Sequence, residues 1–309
     1  MNIVLIHIGI KRFDHLKGTL NQLLYFNNNK IHLIANKKVL KNLNKFTFLK
    51  RINFVDIDTL QKDYFHKSFL KKTRLSRTAH DGFWIKTMER FFYIDNFAKT
   101  NKLENIIHIE NDVLVFYDLD KYKKKFKKLF DIGFTFLNSN TCVPGFIYFK
   151  SYKSITKLTN YIYKKNKYFF QKKNLNDMQL LGNFYNENKE KIKVGLFPTV
   201  TKELALRFIK KEERVNDFFK NYKYLNIIFD ACALGQKIDG LDKKYHLHKG
   251  SFNNELNIIN PKNLEIIFKI KNKVRFPFLR FKKKFIPIMN LHLHSKKTNK
   301  FVKLPSTET

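Results

Sequence analysis

Four short runs of aliphatic and β-branched residues, separated by stretches with helical periodicity, constrain the first third of this chain to alternate strand and helix. The runs are Asn2 to Ile8, Lys30 to Ala35, Asn53 to Ile57 and Asn105 to Ile109. The first and last are almost continuously apolar, as strands covered on both faces of a parallel sheet are, and their crossovers are expected to be right-handed. Between them, Asp14 to Phe26 places Leu16, Leu20, Leu23 and Leu24 on one helical face, and Val39 to Phe46 reads as a short helix. Phe83 to Phe97 groups Trp84, Met88, Phe91, Phe92 and Ile94, with Asp81 as its expected N-cap. Residues 60–80 are basic and weakly patterned, so a long loop or loose helix is expected. Farther on, Ile132 to Leu137 and Phe146 to Lys150 read as strands around a Pro144-Gly145 turn. Ser151 to Phe170 and Asn176 to Tyr185 read as helices, and Lys193 to Phe197 and Leu225 to Phe229 as short apolar segments. The pattern predicts an α/β fold with a Rossmann-type mixed sheet flanked by helices.

With 309 residues and 43% hydrophobic content, the chain is long and apolar enough to bury a core, which excludes disordered and low-complexity classes. Lys and Arg number 61 against 26 acids, a net charge of +35 that attracts polyanions: nucleic acid, anionic lipid or nucleotide phosphates. The cations are mostly Lys, spread among many Asn, Ile and Phe, as a coding bias toward A and T would leave them. The densest runs are Lys121 to Lys128 and Arg275 to Lys284. The second mixes aromatics with cations as interfacial segments do, so peripheral contact with an anionic membrane is expected. The two cysteines, Cys142 and Cys232, form neither a disulfide framework nor a spaced zinc motif, which suits a reducing compartment. The N-terminal apolar run lacks the features of a leader, and no stretch of about 20 apolar residues occurs. A cytoplasmic protein, peripheral at the inner face of the membrane, is expected.

Chemistry concentrates in Ile106 to Asp120, where Glu110 and Asp112 follow a hydrophobic strand directly. In open α/β sheets ligands bind beyond the carboxyl ends of strands, and two carboxylates there suit a hard ion such as Mg²⁺ or Mn²⁺. An ordinary acidic turn explains the spacing equally well. An aromatic-rich helix, a strand and an acid-x-Asp at its end resemble the GT-A glycosyltransferases and their Asp-x-Asp motif, here a Glu-Asn-Asp variant over Glu110, Asn111 and Asp112. The resemblance implies a divalent metal on the diphosphate of a nucleotide sugar, with Asp112 the firmer ligand and Glu110 beside it. It also implies a C-terminal His and a cation, for which His292-x-His294-Ser295-Lys296 offers candidates. His294 is the expected metal ligand and Lys296 the phosphate contact; solvated histidines on an edge strand are the alternative, and Tyr245 to His248 repeats the pattern.

The same resemblance assigns the proton acceptor to Asp177, with Asp230 as runner-up, although Asp177 could equally cap a helix. It implies that Gly145 lets acceptor or sugar approach the backbone, or simply turns the chain. It places His7 and Gly9 where base and ribose sit, with a core histidine as the alternative; Lys86 and Arg90, near the ligand side of the aromatic helix, could touch phosphate or sugar. The domains expected are 1–240, a GT-A-like catalytic domain with a nucleotide-sugar half at about 1–120 and an acceptor half at about 121–240, and 241–309, a basic extension closing over the site. The function implied is a metal-dependent glycosyltransferase moving a sugar from a nucleotide-diphosphate sugar to a hydroxyl of a glycan or lipid-linked acceptor. The alternative is a basic nucleic-acid-binding protein or metal-dependent nuclease, disfavoured because no nucleic-acid-binding module is present. Dinucleotide, P-loop and hydrolase motifs are absent from the sequence.

Overall fold

The computed structural model describes residues 1–11, 13–169, 176–209, 214–240, 265–271 and 274–302. The elements of the first half are β1 (Asn2–His7), α1 (Asp14–Phe26), β2 (Lys30–Ala35), α2 (Lys37–Leu43), β3 (Ile52–Asp56), α3 (Tyr64–Lys72), α4 (Phe83–Thr100), β4 (Glu104–Ile109) and β5 (Val113–Val115). They are followed by α5 (Lys123–Leu129), β6 (Ile132–Asn138), β7 (Thr141–Ser151), α6 (Tyr152–Phe169), α7 (Asp177–Asn188), β8 (Val194–Phe197), α8 (Lys202–Phe208), α9 (Tyr222–Leu225) and α10 (Leu234–Asp239). Strands β9 (Glu265–Lys271), β10 (Val274–Phe281), β11 (Lys284–Pro287) and β12 (Asn290–His292) end the described chain.

The central sheet is mixed and seven-stranded, in the order β3-β2-β1-β4-β7-β6-β8. β1, β2, β3 and β4 are mutually parallel where they pair, and β7 runs antiparallel to both β4 and β6. Alternation along each buried strand feeds two cores. Val4, Ile6 and Ile106 pack with Met88, Phe91 and Ile94 of α4, while Ile3, Leu5 and Ile107 pack with Leu16, Leu20 and Leu23 of α1. The chain winds outward from β1 through β2 to β3 and returns to β4 on the other side of β1. A crevice therefore opens beyond the carboxyl ends of β1 and β4, where the strand order reverses.

The structure revises several local expectations. Residues 60–80 contain α3, capped by Asp63, whose side chain accepts from the His66 amide at 2.9 Å. Of the loop and the loose helix expected there, the helix stands, and its buried residues His66, Ser68 and Phe69 fall within a single turn. α4 starts at Phe83 with Gly82 at the N-cap position, and Asp81, with φ 57, contributes no cap. α4 is also no simple amphipath: every residue from Met88 to Ala98 is buried. Its polar members consequently need internal partners. Glu89 accepts from His66, Asp95 from Thr156 and Thr159, and Asn96 donates to the Gln61 carbonyl. The β6–β7 turn falls at residues 139–140, with Asn138 opposite Thr141, so Pro144 and Gly145 lie inside β7. β9, β10 and β11 form a separate antiparallel sheet. The Tyr245 to His248 pattern lies outside the described residues. Among the described residues no helix is long and apolar enough to cross a membrane.

Candidate active site

β4 ends at Ile109 and delivers Glu110, Asn111 and Asp112 into the crevice. A tight turn fixes them: the Glu110 amide donates to the Gly145 carbonyl and the Val113 amide to the Glu110 carbonyl, both at 3.1 Å. β5 then pairs antiparallel with β12, and the register sets Val113 opposite His292. The Leu293 amide continues the ladder to the Asp112 carbonyl at 2.8 Å. A strand about 180 positions later in sequence thereby lays an imidazole on the acidic turn: His292 Nε2 lies 3.1 Å from Asp112 Oδ1 and 3.5 Å from Glu110 Oε2.

Two other features hold that imidazole. The Asp230 carboxylate accepts the backbone amides of Ala233, Leu234, Gly235 and His292, at 2.8 to 2.9 Å. It thus joins the start of α10 to β12. A Cβ on Gly235 would sit 2.1 Å from the His292 carbonyl oxygen, and one on Gly145 would sit 2.9 Å from His292 Nδ1. The room that Gly145 leaves is taken by the His292 ring. The ring's Nδ1 faces Cys232 Sγ at 2.8 Å.

Arg90 is the buried hub on the other side. Its guanidinium bonds Glu110 with one nitrogen and Asp177 with another. Asn176 supplies the α7 cap, accepting from the Gln179 amide at 2.9 Å, and this leaves the Asp177 side chain to reach inward. Both Asp177 oxygens are engaged, one by Arg90 and one by the Met178 amide at 3.0 Å. Burial pushes the Asp177 carboxyl up, against the pull of Arg90. Asp230 is likewise raised by burial, with its backbone donors opposing.

On the β1 side, His7 Nε2 faces the Lys11 carbonyl at 3.0 Å, and Asn111 Nδ2 donates to His7 Nδ1 at 3.1 Å. Burial holds His7 near a pKa of about 4, and the Lys296 and Lys86 charges push the same way. His7 is therefore neutral at pH 7 and carries its proton on Nε2. Asn111 turns to His7 and α1, its carbonyl accepting from the Thr19 hydroxyl at 2.6 Å, and so leaves the ion position to its neighbours. Gly9, with φ 120, anchors the end of β1 through its amide to Asn36 Oδ1 at 2.9 Å.

The donor atoms of Glu110, Asp112 and His292 all lie within 4.8 Å of one another. Burial raises a carboxyl, but at Asp112 the His292, Lys296 and His294 charges outweigh it and hold the group well below the usual carboxylate range. At His292 burial opposes protonation, yet Cys232 and Asp112 carry the imidazole well above 6.5. Two carboxylates and one imidazole in a half-buried cleft fit a hard divalent ion, which would take the place of the His292 proton. The histidine beside the carboxylates is His292; His294 groups instead with Cys232 and His292. An extended Leu-His-Leu-His points both rings one way, so sequence could not choose between them; the two rings stack at 4.4 Å. Arg90 could have been assigned from its place among Met88, Phe91 and Phe92, since an arginine on an apolar face requires buried acids.

No family model and no curated protein matches this chain. Among solved structures it is similar to mouse xyloside xylosyltransferase 1 in its apo form, at 10% identity and TM-score 0.47 over 71% of this chain and 94% of that one. It is similar to the glycosyltransferase GlyE of Streptococcus pneumoniae TIGR4, at 10% identity and TM-score 0.41 over 72% of this chain and 47% of that one. It is also similar to an active-site mutant of LgtC, at 12% identity and TM-score 0.43 over 70% of this chain and 82% of that one. At such scores these likenesses carry no argument, and the chemistry rests on the residues themselves.

Proposed function

We propose that this protein is a metal-dependent glycosyltransferase that moves a sugar from a nucleotide-diphosphate sugar to a hydroxyl of a glycan or lipid-linked acceptor. The observation that carries the reading is the convergence of Glu110, Asp112 and His292 at the carboxyl end of β4, beside the crevice where the strand order reverses. In this reading the three side chains hold Mn²⁺ or Mg²⁺, which when bound neutralises charge on the departing diphosphate. Lys296 and Lys86, whose charges both reach His7, supply further positive potential on the phosphate side. His7, Gly9 and Asn111 shape the end of β1 against which base and ribose lie. Arg90 fixes the rotamer of Glu110 and orients Asp177, the proton acceptor of this reading with Asp230 as runner-up, and the hydrogen bonds to both carboxylates hold them in place.

The acceptor side is formed by residues of about 121–240, and the described part of 241–309 closes on the site through β12. The exposed Lys282, Lys283 and Lys284 at the β10–β11 turn support contact with an anionic membrane surface. Titration of uridine and guanosine diphosphates with and without Mn²⁺ tests the reading, by calorimetry and thermal shift. One nucleotide should bind or raise Tm only with the ion, and Asp112→Asn should abolish that response while the far-ultraviolet circular dichroism stays unchanged. Wild-type protein indifferent to every nucleotide in the presence of Mn²⁺ would overturn it.

A further inference from the structure

His292 has a second nitrogen, and the groups around it are soft where those around the first are hard. Cys232 Sγ stands 2.8 Å from His292 Nδ1, and the His294 ring stacks on that of His292 with centroids 4.4 Å apart. One donor atom from each of Cys232, His292 and His294 lies within 4.8 Å of the others. Cys232, His292 and His294 are 2%, 6% and 7% exposed. Cys232 has φ 63, a left-handed conformation that a non-glycine residue seldom adopts, and it directs the thiol to the rings. Asp230, Gly235 and Gly145 fix the strand that carries the imidazole, so the set is built and not incidental.

We propose that Cys232, His292 and His294 form a thiophilic metal site, distinct in chemistry from the Glu110–Asp112 set and sharing His292 with it, that takes Zn²⁺. One sulfur and two imidazole nitrogens form a donor set that selects zinc over magnesium or manganese. On binding, the Cys232 S–H bond breaks, a Zn–S bond forms and the proton passes to solvent; no electrons change hands. Tetrahedral zinc, about 2.3 Å from sulfur and about 2.0 Å from nitrogen, separates such donors by roughly 3.5 Å, so Cys232 and His292 part by less than ~1 Å. Three protein ligands leave a fourth position for water. Because zinc on Nδ1 reorients the imidazole, Zn²⁺ and Mn²⁺ antagonise each other through His292.

Co²⁺ is the spectroscopic probe, added to the full-length protein under mild reduction. The wild type should show a near-ultraviolet thiolate-to-cobalt charge-transfer band and visible bands of tetrahedral cobalt, both removed by added Zn²⁺. Cys232→Ser and His294→Gln should lose the charge-transfer band, whereas Cys142→Ala and Asp112→Asn should keep it, with circular dichroism confirming the fold of each. A wild-type protein that binds Co²⁺ without the band, or a band that survives Cys232→Ser, would overturn the site. Paramagnetic resonance of Mn²⁺ added to separate, cobalt-free wild-type protein reports the carboxylate set. Wild-type protein that gives the cobalt band but binds no Mn²⁺ in the cobalt-free sample refutes the glycosyltransferase site alone, and the reverse pattern refutes the thiophilic site alone.

Discussion

Arg90 shows how much one side chain decides here. It is 7% exposed, and two carboxylates on different elements depend on it for charge compensation. Replacing it with the apolar Arg90→Met leaves Asp177 without a cation and Glu110 with His292 alone, so urea unfolding should give a loss of about 3–5 kcal/mol. Lower pH should recover part of that loss as the Asp177 carboxyl, already raised by burial, takes up a proton. Glu110 and Asp112 were legible in the sequence because their position after a buried strand restricts where their side chains can go. The choice of His292 over His294 was not, because residues two apart on an extended segment share a face. Only the pairing partner distinguishes them.

The decisive element is β12, three residues whose register against β5 brings an imidazole to the acidic turn. Its position is enforced by Asp230, which collects amides from both α10 and β12, and by the bare Cα of Gly235. In Gly235→Ala the new methyl meets main-chain atoms that cannot rotate away. The overpacking should cost about 1–3 kcal/mol in denaturant melts and weaken Mn²⁺ binding in calorimetry, whereas a merely local defect would leave the metal affinity unchanged. β1, β2 and α1 were readable from sequence to within a residue because their apolar periodicity is set by burial against the sheet. α3 was not, since its start depends on Asp63 and its packing on α4 and α6. The β6–β7 turn was misplaced because a Pro-Gly pair is locally a turn signal, yet Gly145 lies inside β7 and leaves room for the His292 ring.

For the molecule as a whole, four buried histidines set the response to acid. Burial lowers His7, His15, His32 and His108 from 6.5 to about 4. Their stabilisation of the fold is complete above pH 6.5 and is lost as pH falls toward about 4, where the unfolded chain has taken up protons that the folded one refuses. His292 runs the other way: its contribution is full below 6.5 and fades as pH rises through its elevated folded pKa. Thermal melts in metal-free buffer should show Tm falling between pH 6.5 and 4, and His108→Gln, which removes one such group, should flatten that fall; a Tm constant across the window would contradict it.

The sequence by itself determined the alternation of strand and helix, the two-sided burial of the first strands and the acidic pair past β4, because each of these follows from local periodicity and hydrophobicity. Only the tertiary structure decided which histidine faces that pair, that Arg90 links Glu110 to Asp177, and that Cys232 shares the imidazole. Those contacts join residues 20 to 180 positions apart. They are fixed by strand register and by glycines that let backbones close on one another, and neither leaves a mark in local composition.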